Sequence, residues 1–158
     1  MKTLINGRWT DRKDEKQSND GSFKRKDTEF RNWITPDGSP GETGVGGFKA
    51  ESGRYHLYVS LACPWAHRTL IFRKLKNLEP HIGVSIVHPI MLENGWEFRT
   101  DFSQCTGDQI LGKNSIFEVY LAANKNITSR ASVPVLWDLK QATIVSNESS
   151  EIIRMFNS

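Results

Sequence analysis

No run of eighteen apolar residues occurs in the 158-residue sequence, which excludes a membrane-spanning helix. The opening, Met1-Lys2-Thr3-Leu4-Ile5-Asn6-Gly7, lacks the long apolar segment of a secretory signal. Cysteine is scarce: there are two, Cys63 and Cys105, and nothing in their spacing asks for a disulfide. Without an export signal, free thiols in a reducing cytoplasm are the expectation. His81 and His88 have no neighbours at metal-ligand spacing, so surface or strand-end roles are expected of them. Charge of one sign is also lacking over most of the chain. The formal excess of three positive charges sits entirely in residues 1–31, with nine Lys and Arg against six Asp and Glu. Lys24-Arg25-Lys26 is its densest piece, but acidic residues interrupt the surplus, so a solvated segment is expected and not a nucleic-acid arm.

What the sequence does contain is organised around Ser60-Leu61-Ala62-Cys63-Pro64-Trp65-Ala66-His67-Arg68. Before it, Tyr55, Leu57, Val59 and Leu61 alternate with His56, Tyr58 and Ser60, which predicts a strand over 54–61 with one well-buried face. After it, Ala66, Leu70, Ile71, Leu75 and Leu78 recur at helical spacing, and Pro64 suits the first helical position because its missing N–H is not needed there. Cys63 therefore falls at or next to the N-cap. Free N–H groups and the helix dipole favour an anion at such a place, so the expected chemistry is that of a nucleophilic thiolate. His67 and Arg68 add to that field if they face the sulfur. The plainer alternative is a buried, inert thiol.

Residues 1–48 read as a lead-in to a domain over 49–158. Trp9, Phe23, Phe30, Trp33 and Ile34 are isolated in polar sequence, and Pro36-Asp37-Gly38-Ser39-Pro40-Gly41 is dense in turn residues. Such a segment clings to a body through its aromatics. Further on, 84–88 is a second strand, 90–114 is irregular, and 115–124 is a helix with Ser115 and Glu118 as a capping box. Gly107-Asp108-Gln109-Ile110-Leu111-Gly112-Lys113 has the spacing of a phosphate loop. However, Asn114 stands where a hydroxyl would hold magnesium, and no strand precedes it, so the match is expected to be accidental. Strands over 133–138 and 143–146 form a hairpin, and Pro134 suits only an edge, a strand start or a cis bond. A last helix starts near Glu148 and Ser149, where free N–H groups and a hydroxyl suit a carboxylate, or where Asn147, Ser149 or Ser150 merely caps.

The order β-α-β, then α-β-β-α, is that of an α/β thioredoxin-like fold. One Cys followed by Pro-Trp-Ala, in place of Cys-x-x-Cys, points to monothiol chemistry, with the second thiol supplied by a small molecule such as glutathione.

Four blocks in order, Cys63-Pro64-Trp65-Ala66-His67-Arg68, Asn94-Gly95-Trp96, Val133-Pro134-Val135-Leu136-Trp137-Asp138 and Ser146-Asn147-Glu148-Ser149, together resemble the glutathionyl-hydroquinone reductases, the xi-class glutathione transferases. The likeness spans nearly the whole chain, including the Gly-rich lead-in through Gly47-Phe48. It implies that Cys63 is the catalytic thiolate and that Trp96 and Arg130 contact bound glutathione, Arg130 by pairing with a carboxylate. Val133, ahead of a cis Pro134, would offer its backbone to the cysteinyl part. Glu148 would take the γ-glutamyl ammonium and Ser149 its carboxylate. Glutathione is then the co-substrate, with no metal or nucleotide, and a glutathionyl-hydroquinone is reduced through a Cys63–glutathione mixed disulfide.

The family continues into an all-helical domain that supplies tyrosines to the aromatic substrate, whereas this chain stops one helix after the hairpin. A truncated form with reduced or no activity, an apolar face left uncovered, and a homodimer only when the helical domain is present are the corresponding expectations. Two other readings stay open: a glutaredoxin-like or dehydroascorbate-reducing thiol transferase, and a catalytically silent glutathione-binding module.

Overall fold

The computed structural model describes residues 2–11 and 28–158. Phe23 and the Lys24-Arg25-Lys26 run lie outside the described residues. The central sheet has the order β4-β3-β5-β6, formed by β3 (Tyr55–Val59), β4 (Ile82–Ile86), β5 (Val135–Asp138) and β6 (Thr143–Ser146). The β3–β4 pair is parallel and is joined by helix α1 (Pro64–Leu75), since a parallel pair needs a long crossover. The β3–β5 and β5–β6 pairs are antiparallel, the latter closed by a short turn with Ala142 at φ +51°. Helix α2 (Ile116–Ala123) packs on β6, and α3 (Ser149–Met155) lies beside α1. This is the thioredoxin-like arrangement.

Every residue of β3 is buried, not only the face that alternation predicts. For Tyr58 the cover is the irregular segment after β4, and for His56 it includes β4 itself. Tyr58 meets Phe98 edge to face at 5.6 Å, and its hydroxyl donates to Asp108 Oδ1 at 3.0 Å. His56 Nε2 lies 2.8 Å from Ser85 Oγ, and a Cβ on Gly83 would come within 2.7 Å of its Nδ1. Burial pushes the His56 imidazole down to about 4, against a lesser opposing pull from Asp108.

That depression has a measurable result. The folded value lies below the unfolded value of about 6.5, so between the two the unfolded chain binds more protons. The stabilisation is complete above the unfolded value and is lost as pH falls through the folded one, at up to about 1.4 kcal/mol per pH unit. Urea midpoints of the wild type are therefore expected to drop between pH 6.5 and 4, and those of His56→Gln to drop less. Parallel profiles would overturn the assignment.

Helix α1 ends at Leu75, three residues short of the predicted Leu78, where Asn77 adopts φ +54° and Leu78 N–H bonds back to the Arg73 carbonyl. Its buried positions are Ala66 and Thr69, while Trp65, Ile71 and Leu75 are exposed. Strand β4 starts two residues earlier than predicted. It stops before His88, whose N–H turns away to the Glu97 carbonyl at 2.8 Å.

The lead-in carries structure that the polarity of its sequence hides. Strands β1 (Lys2–Ile5) and β2 (Arg8–Asp11) form a hairpin whose turn residues, Asn6 and Gly7, sit at φ +48° and +75°. These are the conformations that make Asn-Gly the preferred two-residue turn. Leu4 is fully buried and exchanges backbone hydrogen bonds of 3.0 Å with Ser129, and Trp9 stacks on Phe117 at 4.6 Å. Residues 28–50 then strap the far side of the sheet. Asn32 N–H donates to the Val145 carbonyl at 3.0 Å, Asn147 N–H donates to that of Phe30, and Arg31 bridges Ser146. The strap thus occupies the open edge of β6, which would otherwise invite pairing with another chain. Its own Trp33, Ile34 and Phe48 are buried, while Arg31 pairs with Glu151 and Arg154 with Glu42, tying the strap to α3.

Candidate active site

Cys63 is the N-cap of α1 and keeps an extended backbone while Pro64 opens the helix. Its carbonyl already accepts from His67 N–H at 2.9 Å, and the preceding turn closes through Cys63 N–H to the Ser60 carbonyl and Ala62 N–H to Ser60 Oγ. The thiol is half-buried and flanked by exposed Ala62, Pro64 and Trp65, so it is neither sealed in hydrocarbon nor fully in solvent. Its Sγ lies 3.7 Å from the Val133 carbonyl, on the residue before the cis Val133–Pro134 bond. The Val133 N–H has no hydrogen-bond partner among the described residues.

One turn further on, Arg68 does something that spacing alone did not indicate. Its guanidinium reaches α3, donating to Ser149 Oγ from Nε at 3.0 Å and from Nη2 at 2.6 Å. Nη2 is 4.0 Å from Glu148 Oε1, and the guanidinium sits 5.1 Å over the Trp65 ring. His67 is exposed. Glu148 is the N-cap of α3, its Oε1 accepting from Ser150 N–H at 3.2 Å and Ser150 Oγ at 3.0 Å. Ser149 is buried, and Asn147 is buried with Nδ2 donating to the Tyr120 hydroxyl. The cap of α3 is therefore Glu148, and not Asn147, Ser149 or Ser150, which the sequence offers for it, because its longer side chain reaches back to the Ser150 N–H.

Cys63 and Val133 thus meet directly, and Glu148 and Ser149 join them through α1 and Arg68. Trp96 stands apart, half-buried against the core, its carbonyl accepting from Ile116 N–H at 2.9 Å. Arg130 is exposed, and its side chain makes no hydrogen bond to the described residues. Cys105 is half-buried, its Sγ 3.5 Å from the Val87 carbonyl, and burial pushes its thiol up.

The phosphate-loop look-alike is filled from within. Asp108 Oδ1 accepts from the N–H groups of Ile110 and Leu111, and Oδ2 from that of Lys113, each at 3.0 Å. The inward-facing amides hold the chain's own carboxylate, so the glycine spacing reflects a self-capped loop. Among the described residues, no group of His, Cys, Asp and Glu is arranged to hold a metal ion, and no helix is long and apolar enough to cross a membrane.

A thioredoxin-like domain with one cysteine capping its first helix beside a cis-proline is a monothiol member of that fold. The family model of the glutathione S-transferase N-terminal domain matches residues 62–158, and the chain belongs to that family. It is 59% identical to glutathionyl-hydroquinone reductase YqjG of Escherichia coli over 157 residues, covering 99% of this chain and 48% of the relative. It is 44% identical to glutathionyl-hydroquinone reductase PcpF of Sphingobium chlorophenolicum, over all of this chain and 47% of that protein. The glutathione-bound structure of YqjG superposes with a TM-score of 0.80 at 64% identity, over 82% of this chain and 42% of that one. A xi-class transferase from Natrialba magadii gives a TM-score of 0.83 at 44% identity, over 100% and 45% of the two chains. The chain spans about half the length of the relatives it matches.

Proposed function

We propose that this chain is the glutathione-binding part of a glutathionyl-hydroquinone reductase, with residues 1–48 as lead-in and 49–158 as the glutathione-binding domain. The observation that carries the reading is the reachable Cys63 sulfur at the N-cap of α1, 3.7 Å from the backbone of Val133. Glutathione, bound in YqjG, is the co-substrate here as well. Val133 offers it a free N–H, Glu148 takes the ammonium of its γ-glutamyl group and Ser149 the carboxylate, and Trp96 and Arg130 close on the remainder. The compartment that suits one reactive thiol of this kind is the reducing cytoplasm.

In the first step the Cys63 thiolate attacks the sulfur of the glutathionyl-hydroquinone. The S–S bond forms, the bond from sulfur to the ring carbon breaks, and its electron pair takes a proton to give the hydroquinone. In the second, a glutathione thiolate attacks the glutathionyl sulfur of the mixed disulfide, giving oxidised glutathione and free Cys63 thiolate. The substrate is reduced, two glutathionyl sulfurs are oxidised, and neither step calls on a nucleotide.

The test supplies the chain with glutathionyl-hydroquinone and no free glutathione. At most one hydroquinone per chain is expected, with glutathione left on Cys63, and added glutathione should discharge it as the oxidised form. Steady-state turnover is expected to fall well below that of YqjG, because these residues span about half of that relative's length. Turnover of a glutathionylated peptide, with none of a glutathionyl-hydroquinone, would instead favour the thiol-transferase reading. Turnover equal to that of YqjG would refute the reduced activity.

A further inference from the structure

We propose that Arg68 is a positioning residue that holds the Ser149 hydroxyl as a hydrogen-bond donor and so selects the carboxylate of the γ-glutamyl group; this rests on the glutathione reading above. A serine hydroxyl has two acceptor lone pairs and one proton, and left alone it rotates to suit its partner. Here Nε and Nη2 of one guanidinium both donate to Ser149 Oγ, at 3.0 and 2.6 Å. With its lone pairs engaged, the hydroxyl has only its proton left to offer. That proton has no acceptor among the described residues, although Ser149 is 4% exposed.

The guanidinium is itself held over the Trp65 ring, so the donor is set in place and backed by a positive charge. Beside it, Glu148 uses Oε1 to cap α3, and its Oε2 has no hydrogen-bond partner among the described residues. One carboxylate next to one positively backed donor is the complement of an α-amino acid end, ammonium on Glu148 and carboxylate on Ser149. It is not the complement of an amine alone.

The spacing to the sulfur agrees. Arg68 lies five residues after Cys63, about 7.5 Å along a helix axis. Two extended residues span about 7 Å, the reach of a γ-glutamyl-cysteinyl unit. The proximity of Arg68 to Cys63 in sequence suggests a role at the sulfur, whereas its hydrogen bonds direct it to the other end of the tripeptide.

Binding separates the possibilities without needing turnover. Calorimetry on the full chain would compare glutathione with 4-aminobutyryl-cysteinylglycine, which keeps the ammonium and lacks the α-carboxylate. Arg68→Met is expected to weaken glutathione about tenfold or more, the weight of a hydrogen bond to a charged group, and to change the analogue by less than about twofold. Ser149→Ala should reproduce the selective loss, and Arg68→Lys should restore part of it. If Arg68→Met does not fold, those two variants carry the comparison. Equal losses for both ligands, or none for glutathione, would overturn the proposal while leaving the glutathione reading standing. A wild-type chain that binds neither ligand would overturn both.

Discussion

Replacing Cys63 with serine is expected to abolish covalent capture of glutathione and to reduce hydroquinone release to the rate of the protein-free reaction. The hydroxyl is nearly the same size and sits at a half-buried N-cap, where serine is a favoured residue, so the fold should survive with little change in unfolding midpoint. What is lost is the nucleophile, since a serine hydroxyl cannot form the mixed disulfide. Cys105→Ser is the matching control and should leave capture untouched. Its sulfur points at the Val87 carbonyl, and burial raises its thiol, so little thiolate is available there. Peptide mass mapping after exposure to a glutathionyl-hydroquinone distinguishes the two sites. Glutathione found on Cys105, or full release by Cys63→Ser, would end the thiolate mechanism.

The second large effect concerns the fold that holds the site. Asp138→Ala is expected to destabilise the chain by about 3–5 kcal/mol, the range for breaking a buried ion pair from one side. Arg54 Nε and Nη2 donate to Asp138 Oδ1 and Oδ2 at 3.0 and 2.7 Å, and Asp138 is fully buried. The same carboxylate accepts from Lys140 N–H at 2.9 Å, so the turn between β5 and β6 loses a partner too. Hydrogen bonds to Asp138 hold the guanidinium even more firmly protonated than usual, so the variant would strand a buried cation. In a chain of this length the melting temperature should fall by roughly 10 °C. An Arg54→Met, Asp138→Leu double variant should cost less than the sum of the single changes, because it leaves no charge unpaired. A loss below about 1 kcal/mol for Asp138→Ala, measured by urea unfolding, would show that Glu51 and the Gly47 carbonyl suffice for Arg54.

The parts of the fold that were readable in advance are those fixed by neighbours in sequence. Alternation before Cys63, proline after it and helical spacing beyond are local facts, and they locate the thiol at the N-cap where the chain puts it. The capping helix was equally plain, since Glu118 does accept from Ser115 N–H at 2.9 Å. The direction of Arg68 was not, because the hydroxyl that takes it lies 81 residues away. Likewise Tyr58 looks like a solvent-facing alternate until the segment carrying Phe98 and Asp108 folds onto it. Asn6-Gly7 is a hairpin signal, but the isolated apolar residues in polar sequence around it make the whole stretch read as a lead-in that clings to a body through its aromatics.

The docking of that hairpin sets a timetable. Leu4 finds its cover against Ser129, 125 positions downstream, so a nascent chain growing at about 5–20 residues per second holds this leucine without its partner for roughly 6 to 25 s. Strands β1 and β2 are therefore made well before the segment they settle against, and chaperones that hold short apolar stretches would have their opportunity in that interval.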